Sequence, residues 1–179
     1  NGFAVRFGGP GGATVRMFDN AGSPKTGNLD LGTLTEHPEA AGGGLVDSAG
    51  FHGNGKDAYV AVSASGSTVW VTVLNADGTV RYSKSVADDV SISGVGRADA
   101  AIDPDGNVIV VFSGRYDGDY PTLVMGRRFN ASGAPVGGTF YVSERELPDF
   151  ANQAASSPRI AWRAGQVAVV WESNSDEET

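Results

Sequence analysis

The 179-residue chain contains no cysteine, which excludes a disulfide framework and any thiolate metal site. It has no apolar run of about 18 residues, the length that a membrane-crossing helix requires. A basic-then-apolar leader is missing, and helical spacing of apolar residues is hardly visible. Positive charge is scarce: 13 Lys and Arg stand against 21 Asp and Glu, a net charge of −8. Phosphate binding needs clustered Lys and Arg that release counterions, so nucleic acid is not an expected partner, whereas cations and neutral partners stay open. There are two histidines, His37 and His52. Neither a His-x-x-x-His pair nor a Ser, His and Asp set with a nucleophile elbow accompanies them.

Glycine is what the chain has in quantity, 26 residues, about twice its usual share. Apolar residues fall in short runs rich in Val, Phe, Ile and Trp, bounded by Gly, Asn, Asp or Pro, and this predicts a nearly all-β chain with tight turns. The chain also repeats. The segment from Val124 to Pro135 echoes that from Ala13 to Pro24, and Val69 to Gly78 is a weaker copy. The anchors Phe18, Leu74 and Phe129 recur about every 55 residues, in the range of a repeat that forms one sheet-sized unit stacking on its neighbours.

In the clearest repeat, strands are predicted over Ala98–Asp103, Asn107–Ser113, Thr122–Asn130 and Gly138–Ser143. Asp103-Pro104-Asp105-Gly106-Asn107 has the chemistry of a hairpin: Pro pre-sets φ, Asp bonds its own backbone, and Gly accepts a positive φ. The turns at Asp19-Asn20-Ala21-Gly22, Asn75-Ala76-Asp77-Gly78 and Asn130-Ala131-Ser132-Gly133 all start on Asn or Asp and reach Gly three residues later. The middle unit is predicted over Leu45–Ser48, Ala58–Ser63, Thr68–Asn75 and Val80–Val86. Gly2–Phe7, Thr14–Asp19 and Asn28–Leu31 form a first, incomplete unit, and Arg159–Trp162 with Gln166–Glu172 a last one. The expected division is therefore a single array: a partial blade at 1–32, blades at 33–87 and 88–143, and a partial blade at 144–179. The frame is out of phase with the chain ends, as for a portion of a longer chain.

A β-propeller of stacked four-stranded blades and a β-sandwich of about seven strands both accommodate many short strands. Self-similarity at the level of the unit favours the propeller. The expected fold is an all-β, propeller-like array of four-stranded antiparallel blades, part of a larger or multi-chain propeller.

Val110-Val111-Phe112-Ser113 followed by Asp117-Gly118-Asp119, then Arg127-Arg128-Phe129-Asn130 with Gly133 and Pro135, then Phe140-Tyr141-Val142, carry a resemblance. So does Val169-Val170-Trp171-Glu172-Ser173. Together they resemble propeller-type repeats of large secreted and surface bacterial proteins. The resemblance covers Asp105–Ser173 well and Ala13–Leu31 fairly. Over Gly32–Val90 the tryptophan of the repeat's Val-Val-x-Trp-x-Ser strand and the Asp-Gly-Asp loop are both missing. It implies a propeller-like module at an extracellular or cell-surface location.

Asp117 and Asp119 flank a glycine and offer carboxylate oxygens of the kind Ca²⁺ takes, although the twelve-residue calcium-loop pattern is incomplete. Tyr116 and Tyr120 flank that loop, so Tyr116, Asp117, Asp119 and Tyr120 form the expected ligand-binding patch, suited to sugar rings. Asp47, Asp57, Asp99 and Glu144 stand near predicted strand ends, without a spacing that marks an acid and base pair. Trp70, Trp162, Trp171, Phe7, Phe112 and Phe129 are expected between blades, and His52 in an exposed loop. Asn130-Ala131-Ser132 fits a glycosylation acceptor, but a turn explains the same Asn.

No catalytic residue is assigned. The expected function is a non-catalytic extracellular or cell-surface repeat module for adhesion, assembly or glycan binding. Two alternatives accompany it: a glycan-active hydrolase or lyase on a sialidase-like propeller, and a structural protomer that completes its sheets with another chain through open strand edges. No membrane span is expected, and Ca²⁺ is the one cofactor considered.

Overall fold

Short β-rich runs and Asx-Gly turns build four antiparallel sheets in succession along the chain. The computed structural model describes residues 2–9, 12–30, 50–65, 67–116, 122–143 and 154–174. The first sheet orders β1 (Gly2–Gly9), β2 (Gly12–Asp19) and β3 (Leu29–Asp30) side by side. In the second, β4 (Phe51–Gly53), β5 (Ala58–Ser65), β6 (Thr68–Asn75) and β7 (Val80–Ser85) form a four-stranded meander. The third holds β8 (Ile92–Ser93), β9 (Ala98–Ile102), β10 (Val108–Tyr116), β11 (Thr122–Phe129) and β12 (Phe140–Tyr141). β13 (Ala154–Arg163) and β14 (Gln166–Asn174) make the fourth. The described residues are all-β and contain no helix.

Two elements differ from the sequence-based expectation. The predicted opening strand of the middle unit, Leu45–Ser48, lies outside the described residues, and the strand beside β5 is Phe51–Gly53, expected as loop. β8 is an addition to the four-stranded pattern. β10 is nine residues long and β9 five, so the last turn of β10 has backbone groups that β9 does not reach; Ser93 and Ile92 pair with Arg115 and Tyr116 there.

Asx side chains shape the turns. Asp19 Oδ1 accepts the N–H groups of Ala21 and Ser23 at 2.9 and 2.8 Å. Asp103 Oδ1 does the same for Asp105 and Asn107 at 2.9 and 2.8 Å, and Asn130 Oδ1 for Ser132 and Ala134 at 3.0 and 2.9 Å. Asn54 Oδ1 accepts from Lys56, Asp57 and Ala58. Each such bond replaces a backbone partner that the reversal of the chain removes. Gly133, at φ +81°, also sits so close to the second sheet that a Cβ would lie 2.7 Å from the Tyr82 ring. No other residue fits both constraints.

The sheets stack face to face in chain order. Side chains alternate across a strand, so each inner sheet has one face for the sheet before it and one for the sheet after. On the second sheet Val60, Val62, Val71 and Val73 meet Ala98, Ala100, Val108, Val110 and Phe112 of the third. Ala61 and Leu74 point the opposite way, onto Val15 and Met17 of the first. The third sheet turns Ala101, Ile109 and Val111 onto Ile160, Trp162 and Val169 of the fourth. A strand covered on both faces has no polar side to show to water, which is why Ala98–Ile102 is buried throughout and reads as an apolar run.

Of the six aromatics expected between sheets, Phe112 and Phe129 are buried, and Trp70 and Trp162 are half-buried. Phe7 and Trp171 stand exposed, because Phe7 lies on the outer face of the first sheet and Trp171 on a sheet of two strands.

Candidate functional site

β4 of the second sheet, β9 of the third and β13 of the fourth lie next to one another with β9 in the middle. One charged residue interrupts the apolar run of β9. Asp99 is almost completely buried, and each of its oxygens is bonded. Its Oδ1 receives His52 Nε2 of β4 at 3.0 Å and the backbone N–H of Ala100 at 2.9 Å. The Oδ2 atom receives the N–H of Ile160 in β13 at 3.0 Å. One carboxylate thus ties three consecutive sheets together. Burial makes an unpaired carboxylate very costly, and the three donors offset that cost.

The neighbouring residues are shaped around this bridge. Gly50 holds the register position on the second sheet that Asp99 holds on the third: the Val62 N–H bonds to the Gly50 carbonyl, and Val111 pairs with Asp99. A Cβ on Gly50 would lie 1.7 Å from Asp99 Oδ1. Only glycine leaves room for the carboxylate to reach His52.

The imidazole of His52 is raised above its ordinary pKa, first by its hydrogen bond to Asp99 and also by the Asp99 charge, with burial and the Arg159 charge opposing them. A histidine with a raised folded-state pKa contributes stability that is complete below the unfolded value of about 6.5. That contribution is lost as pH rises through the folded value. The expected result is a urea midpoint that exceeds that of His52→Gln at pH 5.5 and equals it at pH 9. Equal midpoints at both pH values would remove the charged bridge.

A His and Asp pair is also part of a nucleophilic triad. Among the described residues no Ser, Thr or Lys side chain is hydrogen-bonded to the imidazole. Asp57, which like Asp99 stands near a predicted strand end, is held apart from it. It is bonded by Asn54 Nδ2 at 3.1 Å and by Arg81 at 3.3 Å in the turn before β5. These hydrogen bonds, that from Asn54 above all, hold its carboxyl below the usual range. Asp47, Glu144 and His37 lie outside the described residues.

A cleft of about 250 Å³ opens between the first and second sheets. Phe3, Phe51, Tyr59, Asn54 and Lys56 line it, and the Phe51 and Tyr59 rings stack at 5.5 Å. Its volume is at the small end for a ligand site. Asn54, one of the polar residues that line it, is spent on its own turn.

The expected ligand patch is not assembled by the described residues. Tyr116 closes β10 by pairing with Ile92, while Asp117, Asp119 and Tyr120 lie outside the described residues, together with the calcium and sugar roles expected of them. Among the described residues no three His, Cys, Asp or Glu side chains gather in a metal-binding group. The His52–Asp99 bridge escaped the sequence reading. Its one signal is an acid set in the run Ala98–Ile102, where a strand with both faces buried must supply donors for a carboxylate.

No family model matches the chain, and no curated protein or solved structure matches it either.

Proposed function

We propose that the chain is a non-catalytic module of an extracellular or cell-surface repeat protein, in which the four sheets are successive blades of a propeller-like array that serves adhesion or assembly. The observation that carries this reading is the serial stack. Each sheet covers the next with equivalent positions, and the buried carboxylate of Asp99 is used to join sheets rather than left open to a substrate. Architecture alone does not fix function, but a chain whose polar interior groups are spent between repeats is suited to bearing and joining surfaces.

The second reading, a glycan-active hydrolase or lyase, is favoured by the His52–Asp99 pair. It needs a second carboxylate 5 to 10 Å across a pocket, and Asp57 is held in its own turn. Incubation with a panel of neutral and acidic polysaccharides, followed by mass analysis of released oligosaccharides, separates the two. The module reading expects no release. Release that is abolished in Asp99→Asn would overturn it in favour of the enzyme.

A further inference from the structure

The two ends of the stack differ from its interior in a consistent way. Strand register makes Phe3, Val5 and Phe7 of β1 equivalent to Val108, Val110 and Phe112 of β10, since Phe3 pairs with Phe18 and Val108 with Phe129. On the third sheet this trio is fully buried under the second sheet. On the first sheet the same positions are 47 %, 44 % and 41 % exposed. The anchor Phe18 stands on that outer face, whereas its equivalents Leu74 and Phe129 are buried against the preceding sheet.

The turn glycines agree. A Cβ on Gly78 would meet Leu29 of the first sheet at 2.6 Å, and one on Gly133 would meet Tyr82 of the second at 2.7 Å. Gly22, with φ +82° like the others, has nothing within 4 Å. The first sheet therefore carries the same face for a preceding sheet, without an opening strand, and has no occupant on it among the described residues.

The opposite end carries the matching half. Ala101, Ile109 and Val111 are the face of the third sheet that covers the fourth. Their register equivalents on the fourth sheet are Ala161, Ala168 and Val170, since Ala161 pairs with Ala168 as Ala101 does with Ile109. This trio is small and aliphatic like the first, and it is exposed, Val170 by 65 %. In every interior contact a face of this second kind covers a face of the first kind.

We propose that two copies of this chain join head to tail, the outer face of the fourth sheet of one on the outer face of the first sheet of the other. The inference rests on the reading of the sheets as serial blades. It continues the three interior interfaces by one more of the same construction. The contact is heterologous, so it closes into a ring or grows into a filament according to the rotation between copies.

The test is sedimentation over a concentration series of the wild-type chain, of Val5→Lys, of Val170→Lys, and of an equimolar mixture of the two variants. The wild type is expected to rise above 18.4 kDa with concentration, and each variant alone to stay monomeric. The mixture is expected to form a dimer and nothing larger, because Val5→Lys keeps an intact fourth sheet and Val170→Lys an intact first. A wild type that stays monomeric throughout overturns the proposal. So does a single variant that still associates, or a mixture that stays monomeric. Both positions are exposed, so circular dichroism should be unchanged; if either variant loses its fold, Phe3→Ser and Ala168→Lys replace them with the same expectations. Turnover of polysaccharide would overturn the module reading and leave these masses as they are, so the two failures are distinguishable.

Discussion

Phe112→Ala is expected to destabilise the chain by about 3–5 kcal/mol. Phe112 is fully buried, and its ring fills the space between the second and third sheets with Val62, Val71 and Val110 in the same cluster. Those neighbours belong to two sheets held by their own hydrogen-bonded ladders, which limits how far they close over a lost ring. A domain of this kind has roughly 5–15 kcal/mol in total, so the variant should melt about 6–20 °C lower. The control lies within the chain. Phe7 occupies the same register position on the first sheet and is 41 % exposed, so Phe7→Ala should cost less than about 1 kcal/mol. Urea unfolding of both, at concentrations where the chain is monomeric, measures the contrast, with midpoints moving and slopes constant. Equal costs would mean that the outer face of the first sheet is as fully covered in solution as the interior.

The same pair shows where the sequence is legible and where it stops. Alternation marks Phe7 and Phe112 alike as residues of one strand face, and the β character and approximate span of β1, β2, β5, β6, β10 and β11 follow from such runs. Turns at Asp19, Asp103 and Asn130 are legible because one Asx and one Gly determine them locally. What covers a face is not local. Phe112 and Phe7 look identical in pattern, and only the presence of another sheet packed over the face separates them. The Asn54 turn performs the same reversal as Asp103, but β4 before it is three residues long and ends His52-Gly53, too short to show a period. The bridge from His52 to Asp99 spans 47 residues and two sheets. Its trace in the sequence is the cost of placing a carboxylate among alanines, which says that donors must come and not from where.

The serial arrangement also distributes stability unevenly. In a linear stack each sheet gains from its neighbours only, so a sheet with two covered faces is held more firmly than one with a single covered face. The second and third sheets have two. Polar bridges are concentrated on the same two: Asp99 on the inner strands, and on the opposite side of the contact an ion cluster around Arg127.

Asp89→Ala is expected to cost about 3 kcal/mol, far more than its partly exposed position on the β7 to β8 connection suggests. The side chain of Arg127, on β11, is 7 % exposed, and it faces the second sheet with Met125 and Phe129. Its guanidinium pairs with Asp89, reaches Asp88 at 3.3 Å and donates to Thr139 Oγ1 at 3.3 Å, while Nε has no partner. Asp89 in turn accepts the N–H and hydroxyl of Thr139 at 2.8 and 2.6 Å. Removing the carboxylate strands a buried cation whose remaining acid, Asp88, is mostly exposed. Arg127→Met removes the charge and keeps most of the volume, and should cost less than about 1.5 kcal/mol. The double variant is expected to match Arg127→Met, with a coupling of about 3 kcal/mol, at the top of the range for residues in contact. Acid titration gives an independent check. Burial raises the Asp89 carboxyl, but the Thr139 and Arg127 hydrogen bonds outweigh it and leave the group below its usual range. Its contribution is therefore present above the unfolded value of about 3.9 and lost as pH falls through the lower folded value. Below pH 4 the wild type should lose stability faster than Asp89→Ala does; parallel loss would mean that the Asp89 carboxylate contributes no stability that depends on its charge.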